Sequence, residues 1–391
     1  MTPPSPLLPP APARLGSNLA ALNLPLILSL ALAVAGCTAG AGAEQVKLTG
    51  FCPDPVVVQT DWFPGPEWGA LYQLMGKDMT VKDEVASGPL GETGVSIQVR
   101  AGGPALGGEA VTERMYEDSS ILLGAVPTGR ALRDSADLAT VAVVSPLDAS
   151  PRVLLWDPAK VPAKDVTALG ALGDRARVVY AEGADDLDVL ASKGLLRREQ
   201  LDPSSDGSAT QFTTEEGIVQ HALVSGDPYT YEHELAERKG PVRFELVDRA
   251  GYRPYPALVV RAGTVAEEAD CLARLVPMIQ KAQVDYLADP GPVNARMPEL
   301  SRPFADFRPV SPAAADDAVK RMVELNVASN GPNATVGDFD EARVAQVIAD
   351  TLPAIEEADP EAGLAAVKPH IGPADLVTNR FIDPEIGIGQ P

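Results

Sequence analysis

The sequence predicts an α/β fold with two lobes and a cleft between them. Short apolar segments alternate with segments of helical periodicity along most of the 391 residues, which is typical of mostly parallel sheets flanked by helices. Two proline-containing segments, 145–152, which has no apolar periodicity, and 251–256, enclose one stretch of this alternation. The chain is therefore expected to leave the first lobe, build the second and return. Two connections of this kind allow hinge closure.

The first part of the first lobe is predicted to span residues 51–147. Its strands are short apolar or alternating segments, such as VVVQ near the start and ATVAVV near the end. A helix is expected to open within 68–75, and another follows Gly102 and Gly103 and ends near Met115. The predicted strands are 56–59, 95–100, 120–124 and 139–144.

The second lobe is predicted to span residues 148–250, where the alternation restarts. A turn rich in proline, serine and glycine at 201–208 precedes a further helical stretch. The predicted strands are 153–156, 177–180 and 242–247, and the predicted helices are 165–172 and 185–193.

The chain is then expected to return to the first lobe over residues 251–391. After a strand at 257–261, helical periodicity dominates, and the predicted helix starts carry capping residues. These starts are Thr264 with Glu267, Ser311 with Pro312, and Asp338 with Glu341.

The N-terminus predicts an exported and lipid-anchored protein. The apolar run LPLILSLALAVAG at 24–36 is too short for a transmembrane helix, so residues 1–36 are interpreted as a signal peptide. The run leads into VAGC, which resembles the lipobox of bacterial lipoproteins and implies lipidation of Cys37. Residues 37–50 would then tether the protein to the outer face of the cell membrane. A chance apolar patch before a free cysteine is the alternative.

Cysteine usage and charge agree with export. Outside the predicted signal peptide the sequence holds Cys52 and Cys271, and an even pair in an exported protein predicts a disulfide. Closing so long a loop contributes about 3 to 5 kcal/mol in the chain-entropy description. Two separate buried thiols are the alternative. The formal charge of −22 argues against nucleic acid as a partner and against electrostatic docking on anionic lipid.

The sequence contains no motif of catalysis or cofactor binding that we recognise. It lacks the Gly-x-Ser-x-Gly, Walker and His-Glu-x-x-His patterns. Its three histidines, His221, His233 and His370, lack the spacing of metal ligands. We therefore predict no catalytic residue, no metal and no cofactor. The competing hypothesis is an extracytoplasmic hydrolase or transferase in which Asp61 and Glu67 act as paired carboxylates.

Two of the three tryptophans, Trp62 and Trp68, follow the predicted strand 56–59. In open α/β sheets ligands lie beyond the carboxyl ends of strands, which makes both side chains candidate ligand contacts. An aromatic face can stack on a ring or hold a cation, and Asp61 offers an acceptor for amino groups. For Trp68, a plug in the core is an equal alternative.

Free backbone N–H groups are expected at two predicted helix starts. Gly102 and Gly103 precede one of them and Ser208 precedes the other. Such groups suit an anionic or carbonyl ligand atom, so all three residues are candidate ligand contacts. The alternatives are a simple turn and a plain N-cap.

A series of motifs occurs in order along the chain after the predicted signal peptide. They are TDWFP at 60–64 with Gly69, Leu71 and Tyr72, DGS at 206–208, SGDPY at 225–229 with Tyr231 and Glu232, GY at 251–252, and LVTNRFID at 376–383. Together they resemble ABC-importer solute-binding proteins of the nitrate, sulfonate, taurine and thiamine-pyrimidine-precursor group. The resemblance covers most of the chain that follows the lipobox.

This resemblance implies a type II periplasmic-binding-protein fold and a monomer without enzyme activity that delivers a small molecule to an ABC permease. It adds Asp227, Tyr229 and Glu232 to the expected ligand contacts. Family members often have histidine where this chain has Trp68, and Ser-Glu-Pro-Tyr where it has GDPY. The ligand therefore stays open between a pyrimidine or other amine and a sulfonate or other anion. A lipoprotein that senses a ligand and signals to a kinase is a further alternative.

Overall fold

The computed structural model describes residues 46–82, 84–103, 107–236, 238–361 and 363–389. The predicted signal peptide, the lipidation site Cys37 and most of the predicted tether lie outside these ranges. The described residues belong to one compact unit that contains two β-sheets with helices packed around them. We refer to each sheet with the helices packed on it as a lobe.

The strands fall into one seven-stranded and one five-stranded sheet. In chain order they are β1 (Val56–Gln59), β2 (Thr80–Lys82), β3 (Val85–Pro89), β4 (Ser96–Arg100), β5 (Ile121–Pro127), β6 (Thr140–Val144), β7 (Arg152–Trp156), β8 (Arg177–Val179), β9 (Leu201–Asp202), β10 (Ile218–Leu223), β11 (Arg243–Leu246) and β12 (Pro256–Arg261). The first sheet has the order β2-β3-β4-β1-β5-β12-β6, and the second has the order β11-β7-β10-β8-β9.

Strand pairing in the first sheet is mixed. β1 pairs in parallel with β4 and β5, β3 pairs antiparallel with β2 and β4, and β12 pairs antiparallel with β5 and β6. Five of the seven strands therefore run in one direction, with β3 and β12 opposed. The predicted mostly parallel sheet holds for strand direction, whereas the ladders are mixed. The reasons are the hairpins that join β2, β3 and β4, and the return of the chain in β12 between β5 and β6.

The second sheet is inserted into the chain of the first. β10, β8 and β9 pair in parallel, and β7 lies antiparallel between β10 and β11. The chain passes from the first sheet to the second through residues 145–151 and returns through 247–255. The predicted lobe boundaries, after residue 147 and after residue 250, fall in these two connections.

Helices separate most of the strands and fill the C-terminal third of the chain. In chain order they are α1 (Gly69–Gln73), α2 (Val111–Glu117), α3 (Thr128–Arg133), α4 (Val166–Leu172), α5 (Asp185–Ser192), α6 (Thr210–Thr214), α7 (Asp227–Tyr229), α8 (Ala269–Ala288), α9 (Gly291–Asn294), α10 (Met297–Leu300), α11 (Pro312–Glu324), α12 (Glu341–Ala358) and α13 (Pro373–Leu376).

The three predicted C-terminal helix starts differ in how the structure caps them. Ser311 caps α11, as predicted, by accepting a hydrogen bond from a backbone N–H. Asp340 caps α12 with two accepted backbone bonds of 2.8 and 3.1 Å, whereas Asp338, the predicted start, accepts instead from Asn333 Nδ2. Thr264 donates its hydroxyl to the carbonyl three residues earlier rather than capping α8. The predicted starts at Thr264 and Asp338 are therefore wrong in position.

The C-terminal helices contact both lobes. Val347 and Ala354 of α12 pack in the same apolar cluster as Leu154 and Trp156 of β7, and α11 packs against α7. Because these helices belong to the returning segment, they join the lobes in addition to the two connections.

The predicted disulfide is present in the structure. Cys52, just before β1, is bonded to Cys271 in the first turn of α8, with a sequence separation of 219. The bond therefore ties the start of the first lobe to its returning segment. Within the described ranges, none of the helices has both the length and the apolar character needed to cross a membrane.

Candidate ligand-binding site

A cavity of about 610 Å³ is lined by residues of both lobes and of both connections. Strands β1, β8 and β9 run towards it, because the residues that follow their carboxyl ends form much of its wall. This is the edge at which open α/β sheets bind ligands. The lining residues that matter below are Asp61, Trp62, Gly103, Arg130, Arg152, Asp185, Asp186, Ser205, Gly207, Gln220, His221 and Asp227.

An ion pair joins the two lobes at this cavity. Arg152, the first residue of β7, donates from Nη2 to Asp61 Oδ2 at 3.2 Å. Burial raises the pKa of the Asp61 carboxyl, and the Arg152 guanidinium opposes that shift. The guanidinium carbon of Arg152 also lies 6.0 Å from the centre of the Trp62 ring. Asp61 is therefore already engaged by another side chain of the protein.

Trp62 forms an aromatic part of the wall and belongs to an aromatic cluster. Its ring centre lies 5.2 Å from that of Phe63, which packs at 5.3 and 5.6 Å on Phe304 and Phe307. Gly207, in the turn after β9, has φ +85°, and a Cβ there would lie 3.2 Å from Trp62 Cζ2. The conformation favours glycine at 207, and a Cβ there would also push against the Trp62 ring.

A buried carboxylate and imidazole form part of the second-lobe wall. His221 Nε2, on β10, lies 2.9 Å from Asp186 Oδ2, in the first turn of α5. Burial favours a higher pKa for Asp186, but its interactions with His221 and with the Arg152 guanidinium outweigh burial and lower the pKa. Asp186 is therefore a carboxylate at neutral pH.

Two buried acceptor atoms in the same wall lack a hydrogen-bond partner, namely Asp186 Oδ1 and Gln220 Oε1. The amide of Gln220 is oriented by its nitrogen, which donates to Ser205 Oγ at 3.2 Å and to the His221 carbonyl at 3.4 Å. The His221 carbonyl can only accept, so the amide nitrogen of Gln220 faces it and the amide oxygen is the atom without a partner. Leaving a buried acceptor unsatisfied costs about 1 to 3 kcal/mol. Both oxygens are buried, so a donor group of a ligand reaches them only if neighbouring side chains of the wall move.

A second set of ionic contacts joins the lobes beside the cavity. Arg308 lies in the returning segment and is 6% exposed. It donates to Asp227 at 2.9 Å, to Glu67 at 3.3 Å and to the Ser225 carbonyl at 3.1 Å. Burial raises the pKa of Glu67, and Arg308 opposes this. Asp227 lines the cavity, but its carboxylate is held by Arg308 and by the N–H of Leu223.

The cavity brings together some of the predicted ligand contacts. Asp61, Trp62, Gly103 and Asp227 line it. Gly102 lines an adjoining cavity of about 270 Å³, and a Cβ at Gly102 would clash with the backbone of the turn after β1.

The other predicted contacts lie outside the lining of the 610 Å³ cavity. Trp68 is 5% exposed and packs in the apolar core. Ser208 is buried in the turn before α6, where its hydroxyl bonds to Thr210. Tyr229 packs on His233 at 4.7 Å. The remaining residue, Glu232, accepts from the backbone N–H of 242 and pairs with an arginine of α11 at 3.5 Å.

The lining residues that were not among the predicted contacts include Arg152, Asp186, Gln220 and His221. One signal could have found Asp186. It lies in the first turn of the helix that follows strand β8, so it is just beyond a carboxyl end. Gln220 and His221 lie within a strand that was not predicted. Among the described residues, no group of three or more His, Cys, Asp or Glu side chains is arranged to hold a metal ion.

Known structures share this fold, although no protein-family model and no curated protein matches the chain. The periplasmic aliphatic sulphonate-binding protein SsuA from Escherichia coli matches with a TM-score of 0.51 and 13% identity, over 87% of this chain and 96% of its own. A protein from Bordetella bronchiseptica RB50 matches with a TM-score of 0.52 and 14% identity, over 84% and 96% of the two chains. The chain therefore has the two-lobed α/β fold of periplasmic binding proteins.

Proposed function

We propose that this protein is an extracytoplasmic solute-binding lipoprotein that captures a small organic molecule and delivers it to an ABC permease. The observation that carries the proposal is the cavity of about 610 Å³ lined by both lobes and by both connections. Its volume is in the range of small-molecule sites. Its position at the carboxyl ends of strands is where this class of sheet binds ligands.

Binding in such a cleft couples to closure of the lobes. A ligand that contacts both walls binds more tightly to the closed lobes than to the open ones and so stabilises the closed arrangement. The pair between Asp61 and Arg152 joins the walls at 3.2 Å and could exchange partners with a ligand. Closure then removes the ligand from water, strengthens its polar contacts and presents a closed surface to a permease.

The N-terminal sequence supports the lipid anchor, and the resemblance to ABC-importer binding proteins supports delivery to a permease. The lipobox-like VAGC precedes a short small-residue tether, which would hold the protein near a membrane transporter. SsuA, which shares the fold, is by its name a sulphonate-binding protein. The low identity leaves the ligand of this chain open between amines and anions.

Binding is favoured over the hydrolase or transferase hypothesis by the position of Glu67. That hypothesis requires Asp61 and Glu67 to act together on one substrate. The Glu67 side chain is 3% exposed and is bonded to Arg308, and Glu67 does not line the cavity of about 610 Å³. An Asp61→Asn variant separates the two hypotheses, since an enzyme would lose turnover but keep ligand binding.

The proposal is tested by native mass spectrometry of the purified protein, followed by tryptophan fluorescence with the co-purified molecule. We expect a bound small molecule, and we expect it to change the emission of wild type and of Trp68→Phe. Trp62→Phe should lose that response because Trp62 lines the cavity. An equal response in all three proteins, or a response lost only in Trp68→Phe, would place the ligand elsewhere.

A further inference from the structure

The charge of the cavity lining points to one class of ligand. In the described lining, eight carboxyl side chains accompany two guanidinium groups and no lysine. Carboxyl groups in the lining therefore outnumber the guanidinium groups. A ligand that carries positive charge or several N–H groups complements such a lining.

Both guanidinium groups of the lining are already paired. Arg152 donates to Asp61 at 3.2 Å. Arg130 donates to Asp134 at 2.7 Å and lies 3.9 Å from Asp185. An anion bound to the remaining N–H groups of these arginines would lie beside the carboxylates that they pair with, and this repulsion is unfavourable.

Two acceptor oxygens of lining residues, one from Asp186 and one from Gln220, lack a hydrogen-bond partner. The side chain of Asp186 is 5% exposed, and Gln220 is 3% exposed. Each keeps one buried oxygen without a donor while its other polar atom is bonded within the protein. Both residues line the cavity, so a shift of the wall that exposes the two oxygens would let a ligand with two N–H or O–H donors satisfy both.

The partners of Asp186 and Gln220 also fix them in place. His221 bonds to Asp186 at 2.9 Å and, through its carbonyl, to the amide of Gln220 at 3.4 Å. One residue of β10 thus orients both acceptors. The aromatic face of Trp62 in the same cavity suits a planar ring or a cation.

We propose that the cleft selects a neutral or cationic nitrogenous ligand with at least two hydrogen-bond donors, and that Asp186 Oδ1 and Gln220 Oε1 accept those bonds. Amidines, diamines and amino-substituted planar rings belong to this class, and simple sulfonates and nitrate do not. His221 is a positioning residue for both acceptors. The inference rests on the proposed function, in which the cleft is the ligand site.

Isothermal titration calorimetry of the purified full-length protein tests the inference. The donor probes are 4-aminopyrimidine, benzamidine and putrescine, and the anion probes are ethanesulfonate and nitrate. We expect at least one donor probe to bind and both anions to fail. In Asp186→Asn the affinity for that probe should fall by about tenfold or more, because the variant places an amide where a carboxylate accepts.

The matched control is Asp188→Asn, on the same helix α5. Asp188 pairs with Arg133 and Arg198 and does not line the cavity, so its variant should bind within about twofold of wild type. If circular dichroism shows that Asp186→Asn does not fold, the inference is tested by whether wild type binds the donor probes and not the two anions.

Binding of an anion probe with no binding of any donor probe overturns the inference, and so does equal affinity in Asp186→Asn. In both cases the cleft stays a ligand site, and the proposed function survives. If no probe binds, the proposed ligand class is wrong, unless native mass spectrometry of the same preparation finds a bound molecule with two or more hydrogen-bond donors. Absence of any bound molecule and of any binding would instead contradict the proposed function.

Discussion

At the residue scale, some residues that line the cavity could be selected from the sequence and others could not. Asp61 and Trp62 could be selected from the sequence because they follow a valine-rich strand and because tryptophan is scarce. Gln220 and Asp186 could not be paired in this way, since they come from β10 and α5 and no local spacing joins them. Their buried, unsatisfied oxygens are visible once the fold is known.

The carboxyl of Asp185 gives a prediction about pH and stability. Burial raises the pKa of Asp185 to about 6, although Arg133 and Arg130 oppose the shift. The pKa in the folded state lies above about 3.9, the value of an unfolded aspartate. Asp185 therefore stabilises the fold fully below about pH 3.9, and this contribution is lost as the pH rises through about 6.

Asp185→Asn should consequently become more favourable relative to wild type as the pH rises. The free-energy difference is expected to shift by about 1 to 3 kcal/mol in favour of the variant between pH 4 and pH 8. Both arginines keep other partners in the variant, namely Asp134 and Asp188. Urea unfolding at several pH values measures the difference. A difference that stays constant with pH would contradict the assignment of a raised pKa to Asp185.

At the element scale, the sequence predicted strands best where they are apolar. β1 and β7 read VVVQ and RVLLW and lie almost wholly in the core. The strand β10 was missed, because Gln220 and His221 interrupt its apolar run IVQHAL, yet it lies in the middle of the second sheet. Polar residues in a central strand break the local pattern, and such breaks are expected at functional sites. The hairpin of β2 and β3 was missed because TVK and VASGP are short and lack apolar alternation.

The start of α12 provides a test at the same scale. Asp340→Ala should lower the free energy of unfolding by about 1 kcal/mol, because its carboxylate accepts from two N–H groups of the first turn. Asp338→Ala serves as the comparison, since this residue was the predicted cap but bonds to Asn333 instead. Chemical denaturation measures both variants. A larger loss in Asp338→Ala than in Asp340→Ala would contradict the observed capping.

At the scale of the whole molecule, the chain passes between the two sheets near the two proline-containing segments. The connections occur at 145–151 and 247–255, close to the predicted segments. The role of the C-terminal helices could not be predicted. Their apolar stripes indicate burial, but a stripe does not specify its partner, and α12 packs partly on the second lobe. Arg308 likewise joins Glu67 and Asp227 across a sequence separation that no motif reveals.

Arg308 is expected to be important for joining the lobes. Arg308→Met should lower the free energy of unfolding by about 3 to 5 kcal/mol, because it leaves Glu67 and Asp227 as buried carboxylates without their cationic partner. Arg321→Met is the control, since Arg321 also joins the lobes through Glu232 but is 24% exposed. Its loss should be about 1 kcal/mol or less. Equal losses in the two variants, measured by urea unfolding, would show that Arg308 has no special role.

The most direct test of the account is a crystal structure of the protein with the small molecule that co-purifies with it. We expect that molecule in the cavity of about 610 Å³, in contact with Trp62 of the first lobe and with Asp186 or Gln220 of the second. A molecule bound on the outer surface, or held by one lobe alone, would contradict the claim that the two lobes form a shared ligand site.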